Sequence, residues 1–132
     1  MNILDENIPR QQRELLEGRR VSVKQIGVNC GKKGMLDDAI IPFLLRLRRP
    51  SFFTRDDDFY ERKLCHPQYC LVFLDVDKAE IAWFILRFLR HPDFKTQASR
   101  MGKVLRVSHV GIAYWQLRQP REQNCEWPKT VR

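Results

Sequence analysis

The stretch Ser51-Phe52-Phe53-Thr54-Arg55-Asp56-Asp57-Asp58-Phe59 joins a short apolar strand, Phe52-Phe53, directly to three consecutive aspartates. Adjacent carboxylates repel one another, and at the mouth of a sheet this repulsion favours a divalent cation. The stretch therefore predicts a buried strand that delivers negative charge to one point on the protein surface.

Other predicted strands also end in an acidic residue. Asp5 follows Ile3-Leu4, and Asp75 follows the continuous apolar run Cys70–Leu74. Such a run is typical of a strand buried on both faces, as in a parallel sheet covered by helices. The carboxyl ends of parallel strands meet at one edge of the sheet, so we expect the acids to form one cluster there.

Helical patterns alternate with these strands. A polar helix is predicted over residues 10–17, with Asn7 as its N-cap and Gly18 in the C′ position. A second helix opens at Asp37-Asp38, where either aspartate can cap it. The most regular apolar face belongs to residues 77–90.

The alternation predicts an α/β fold: a three-layer α/β/α sandwich with a mainly parallel central sheet. Further strands are expected at 21–26 and 104–108, and 109–117 extends the latter as a hairpin. The domain should span residues 1–117. The polar, proline-containing segment 118–132 is predicted to be a flexible tail.

The charge balance is strongly basic, with 24 Lys and Arg against 16 Asp and Glu and a formal charge of +8. Such a balance favours a polyanion, nucleic acid first, although it also suits solubility or an acidic protein partner. The loop from Gly27 to Gly34 lacks P-loop spacing, because Gly27 and Gly31 enclose three residues. The candidate phosphate-binding residues are Lys32, Lys33, Arg46, Arg48, Arg49 and Arg55.

The sequence shows no secretory signal and no apolar run of about 18 residues, so we expect a cytoplasmic protein without a membrane partner. Four cysteines are then expected to be free thiols. The spacing Cys65-His66…Cys70 is poor for zinc, and Cys70 suits a core position.

Three motifs together resemble a known family. They are Leu4-Asp5-Glu6-Asn7-Ile8-Pro9 at the N-terminus, Asp37-Asp38-Ala39-Ile40-Ile41 opening a helix, and Thr54-Arg55-Asp56-Asp57-Asp58-Phe59 after a strand. In this order the chain resembles the compact PIN-like proteins of bacteria, which are related to the PIN-domain ribonuclease toxins of toxin–antitoxin pairs. The resemblance covers roughly residues 1–110.

The resemblance implies a PIN-type sandwich that cleaves RNA with Mg²⁺ or Mn²⁺. It makes Asp5 and Asp56 metal carboxylates and assigns the helix-borne acid to Asp37, with Asp38 as the alternative. Asp58 completes the catalytic set or fixes the loop. Asn7 and Thr54 would orient the cluster.

The resemblance also implies an antitoxin partner and a homodimer. Two other interpretations stay open. In one, the same fold binds RNA or protein without turnover. In the other, the aspartates are helix caps and turn formers, as Asp37 and Asp77 can be.

Overall fold

Seven strands form one sheet in the computed structural model, which describes residues 1–129. Their spatial order is β2-β1-β3-β4-β5-β6-β7. The strands β1 to β5 pair in parallel, and β6 and β7 are antiparallel. The strands are β1 Asn2–Leu4, β2 Val23–Gln25, β3 Ser51–Thr54, β4 Cys70–Leu74, β5 Lys103–Ser108, β6 Gly111–Gln116 and β7 Gln123–Cys125.

Helices pack against both faces of this sheet. Leu16 of α1 and Phe84 of α3 join a first core on one face, whereas Ile40 and Leu44 of α2 join a second core on the other. This α/β arrangement with a mostly parallel sheet is compatible with the predicted three-layer sandwich. The α-helices are α1 Arg10–Gly18, α2 Asp37–Leu45, α3 Ile81–Arg90 and α4 Gln97–Arg100, and 3₁₀ turns span Asp57–Phe59, Arg62–Leu64 and Lys78–Glu80.

The parallel register of β1 and β3 brings two of the motif segments to the same edge. Leu4 lies beside Phe53, and the Asp5 backbone N–H continues the ladder to the Phe53 carbonyl at 2.9 Å. The next residue of β3 is Thr54, which is fully buried. The ends of these two strands therefore meet at Asp5 and Thr54.

The start of α1 differs from the prediction. Pro9, not Asn7, occupies the N-cap position, and no side chain caps the helix. Gly18 is the last helical residue, and the left-handed backbone position falls on Arg20, with φ 62°. The helix continues one residue further than the glycine suggested, so the C′ assignment of Gly18 was wrong.

The predicted tail is partly built into the sheet. The hairpin to β6 is confirmed, and Gln123–Cys125 then pairs with Ile112–Tyr114 as β7. Trp127 donates its indole N–H to the Ser108 carbonyl at 2.7 Å. The segment predicted to be a flexible tail therefore contains a strand, β7, which pairs with β6 through its backbone and carries no apolar pattern. The last three residues of the predicted tail lie outside the described residues.

Within residues 1–129, no helix has the length and apolar character needed to cross a membrane.

Candidate metal centre

A chain of hydrogen bonds links the two strand ends at the carboxyl edge of the sheet. The Thr54 hydroxyl donates to Asp5 Oδ2 at 2.6 Å and accepts the Asp56 backbone N–H at 3.0 Å. Asp5 is only 9% exposed and Thr54 is fully buried. The hydroxyl therefore fixes a nearly buried carboxylate relative to the acidic turn.

The acidic turn folds back on itself after Thr54. Asp56 accepts the Asp58 backbone N–H on Oδ1 at 2.9 Å and so caps the 3₁₀ turn Asp57–Phe59. Phe59 is buried against Phe52, which anchors the far end of the turn to the second core. The turn therefore holds the side chains of Asp56 and Asp58 on the side that faces the start of α2.

Asp37 brings a third carboxylate to this point. Single oxygen atoms of Asp37, Asp56 and Asp58 all lie within 4.8 Å of one another. Asp57 is exposed and is not a member of this group. We call Asp5, Asp37, Asp56 and Asp58 the acidic cluster.

The pKa of Asp37 is affected by the other carboxylates of the cluster. Partial desolvation raises the pKa of this carboxyl above its ordinary value, and the negative charges of Asp56, Asp5 and Asp58 raise it further. Neighbouring like charges disfavour ionisation because each added charge must be held against the others. The carboxylates of the cluster therefore disfavour the ionised form of Asp37.

The helix start distinguishes the two neighbouring aspartates. Asp37 belongs to the close group with Asp56 and Asp58, whereas Asp38 does not, although both aspartates line a cavity of about 340 Å³. Pro42 lies inside α2, where it removes a backbone donor, yet the helix runs from Asp37 to Leu45. Asp37 is thus the helix-borne acid that joins the cluster.

A second cavity, of about 260 Å³, opens on the other side of the cluster. Asp5, Asn7, Ile8, Arg55 and Asp56 line it. The Arg55 side chain donates from Nε to the Val76 carbonyl at 3.1 Å. Asn7 and Arg55 therefore lie next to Asp5 and Asp56 of the cluster.

The other predicted basic residues lie elsewhere. Lys32 and Arg46 line a cavity of about 730 Å³ against α2, and Lys33 is exposed in the same loop. Arg48 and Arg49 precede β3, at the amino edge of the sheet. Nine helical residues separate the two ends of α2, a distance of about 13 Å. The arginines Arg46, Arg48 and Arg49 and the acidic cluster therefore lie at opposite ends of α2.

Two residues that position the site were not predicted. The buried Gln25 donates its amide N–H groups to the carbonyls of Asp5 and Ile8, at 3.0 and 2.7 Å. Glu6 accepts the Gly34 backbone N–H at 2.8 Å and so ties the glycine loop to the same turn. A polar residue at an inward position of the alternating strand 21–26 is the signal that could have identified Gln25.

Another acid at a strand end stays apart. Asp75 follows β4 and is exposed, and its backbone N–H donates to the Val107 carbonyl at 2.8 Å. It is not a member of the group of close carboxylates. The position after a strand was therefore not sufficient to predict membership of the cluster.

No family model, curated protein or solved structure matches this chain. The PIN-like relationship therefore stays a prediction from the three sequence motifs.

Proposed function

We propose that this chain is a metal-dependent endoribonuclease of PIN-like type. One observation supports it above the others: the ends of β1 and β3 and the start of α2 bring the carboxylates of the acidic cluster together. Helix capping alone would not require aspartates from three separate segments to converge.

The residues of the cluster suit Mg²⁺ or Mn²⁺. All the donor atoms are carboxylate oxygens, which these hard cations prefer, and no His or Cys belongs to the close group. A cation would also relieve the repulsion from Asp56, Asp5 and Asp58, which adds to desolvation in raising the pKa of Asp37. When bound, such an ion neutralises charge on a phosphodiester and orients the attacking water.

The chain's own residues supply the remaining functions. Asp37, Asp56 and Asp58 would hold the ion, and Asp5 would add negative charge from the buried side, where Thr54 fixes its orientation. Asn7 and Arg55 face the adjoining cavity, where Arg55 binds a phosphate of the substrate. The basic run Arg46–Arg49 binds phosphates further along the RNA, because it lies at the opposite edge.

The motif resemblance extends this proposal to biological role. The chain acts as the toxin of a toxin–antitoxin pair, in which an antitoxin protein covers the acidic site and the toxin forms a homodimer.

An RNA cleavage assay with matched variants tests the nuclease activity. Wild type, Asp56→Asn and Asp57→Asn are incubated with labelled RNA in Mn²⁺ or in EDTA. We expect cleavage by the wild type in Mn²⁺ alone and a loss of about 100-fold in Asp56→Asn. Asp57→Asn, which changes the neighbouring exposed acid, should retain activity.

A folded wild type that cuts neither single-stranded nor structured RNA in Mn²⁺ would overturn the nuclease proposal. The same fold would then be a non-catalytic RNA- or protein-binding module.

A further inference from the structure

The two faces of the sheet are covered unequally. The first core reaches Ile112 and Tyr114 of β6 and Cys125 of β7. The second core, on the α2 side, includes Val104 of β5 but no residue of β6 or β7 among residues 1–129. On the α2 side of the sheet, β6 and β7 are therefore not covered by the second core.

Aromatic rings and guanidinium groups occupy this uncovered region. Trp115 lies opposite Val104 in the antiparallel register, so its side chain is on the α2 side of the sheet. Phe73 and Arg106 are cross-strand neighbours on that same side. The ring centroids of Tyr60 and Phe73 are 6.5 Å apart.

Two of these rings have a guanidinium group beside them. The Arg106 guanidinium lies 5.8 Å from the Tyr60 centroid, and that of Arg62 lies 5.5 Å from the Trp115 centroid. Both arginines are exposed, and the three rings are half-buried. We call Tyr60, Arg62, Phe73, Arg106 and Trp115 the aromatic face.

The segment between β6 and β7 holds the aromatic face in position. The Tyr60 hydroxyl donates to the carboxylate of Glu122, and Arg62 donates to the Gln119 carbonyl at 3.4 Å. These bonds limit the rotation of both side chains, so less conformational entropy is lost when a ligand stacks on them. Glu122 is the acidic group in contact with the face.

The aromatic face is continuous with the acidic cluster along the chain. Asp58 precedes Tyr60 by two residues, which span at most about 7 Å, and the buried Phe59 between them fixes both. The backbone of Tyr60, a residue of the aromatic face, therefore lies within about 7 Å of the backbone of Asp58 in the acidic cluster.

We propose that the aromatic face binds unpaired nucleotides of single-stranded RNA and leads the strand to the acidic cluster. Aromatic rings and arginine planes stack on bases irrespective of sequence, and exposed guanidinium groups bind the phosphates between them. Bases within a duplex are already stacked on each other and do not offer their planes. The choice of RNA rests on the proposed function, and the net charge of +8 supports a polyanion.

Binding in the absence of metal tests this proposal. Fluorescence anisotropy in EDTA compares a labelled oligouridine with an RNA duplex of the same length, both over the same series of salt concentrations. We expect Tyr60→Leu to weaken oligouridine binding about tenfold, the scale of one lost base stack. Tyr60→Phe keeps the ring but loses the bond to Glu122, so it should weaken RNA binding less than Tyr60→Leu does.

An arginine pair provides the matched control for charge. Arg106→Ala removes an exposed cation from the face, and Arg90→Ala removes one from the end of α3. We expect Arg106→Ala to weaken oligouridine binding and to reduce its salt dependence, whereas Arg90→Ala should leave both nearly unchanged. Thermal melts of each variant exclude loss of the fold as the cause.

Equal effects of Arg106→Ala and Arg90→Ala, or duplex binding as tight as oligouridine binding, would overturn the proposal. If Tyr60→Leu instead dissociates a dimer in light scattering while RNA binding is unchanged, the face contacts a second copy of the chain. The assay separates the two proposals because it contains no metal. If RNA binding depends on the aromatic face but the protein does not cleave RNA in Mn²⁺, only the nuclease proposal is overturned. If the protein cleaves RNA but RNA binding does not depend on the aromatic face, only the present inference is overturned.

Discussion

Thr54 donates its hydroxyl proton to the nearly buried carboxylate of Asp5 over 2.6 Å, and this bond joins the ends of β1 and β3. The same oxygen accepts the Asp56 backbone N–H, so one hydroxyl connects two motifs that are 49 residues apart. The arrangement of the acidic cluster therefore depends on a side chain that is not itself acidic.

Replacement of this hydroxyl should affect both stability and cleavage. Thr54→Val leaves the Asp5 carboxylate without its donor, and a loss of about 1–3 kcal/mol is expected in urea unfolding. Because Asp5 is then free to move, we also expect cleavage to fall about tenfold or more. Thr54→Ser keeps the hydroxyl and should lose much less stability and much less cleavage activity. A Thr54→Val protein as stable and as active as Thr54→Ser would contradict the role of this bond.

Asp37 should make stability depend on pH in the absence of metal. The pKa of Asp37 is raised above the ordinary 3.8. Between pH 3.8 and the raised pKa, the folded state therefore binds more protons than the unfolded state. The free energy of unfolding then falls as pH rises through this window and stays lower at neutral pH. We expect Asp37→Asn to raise the Tm in EDTA at pH 7, by a few degrees at most because the group is largely exposed.

Asp38→Asn is the matched control, since Asp38 lies one residue on and outside the cluster. It should not raise the Tm. A lower Tm for Asp37→Asn at pH 7 would show that the favourable interaction of Asp37 with the start of α2 outweighs the repulsion.

Trp127 should stabilise the fold from beyond β7. Its indole N–H bonds to the Ser108 carbonyl, and the Arg87 guanidinium lies 4.3 Å from its ring centroid. Trp127→Ala removes this hydrogen bond and part of the first core, so about 2 kcal/mol of stability should be lost. Trp83→Ala, which removes a ring that is 55% exposed, should change the stability much less. Equal urea midpoints for the two variants would contradict the docking of the terminal segment.

Cys70 should be the least reactive thiol. Burial raises its pKa to about 12, and its side chain is fully buried in β4. The reactive thiolate is therefore a fraction of about one in ten thousand at pH 8. Cys30, Cys65 and Cys125 are partly exposed, so a thiol reagent should modify them in the native protein and Cys70 only after urea is added. Mass spectrometry that finds Cys70 modified as fast as the others would contradict this order.

The fold was predictable where local pattern and tertiary structure agree. The apolar run Cys70–Leu74 is a central parallel strand, and the second predicted helix does begin at Asp37. The strand before the acidic turn could also be predicted, because Phe52 and Phe53 belong to the two cores on opposite faces.

Other features depend on contacts that no local pattern encodes. The strand Gln123–Cys125 has no apolar alternation and forms because β6 offers an unpaired edge. The choice between Asp37 and Asp38 follows from the orientation of α2 against the acidic turn, which the sequence does not specify. The supporting role of Gln25 likewise requires that β2 lie beside β1.

Calorimetric titration of the folded protein with Mn²⁺ tests whether the acidic cluster is a metal centre. We expect binding by the wild type and by Asp57→Asn, and its loss in Asp56→Asn, with a stabilisation of about 2.7 kcal/mol when free metal is a hundredfold above Kd. If the wild type shows no Mn²⁺ binding heat and no rise in Tm with Mn²⁺, the cluster is not a metal centre and the proposed nuclease mechanism is contradicted.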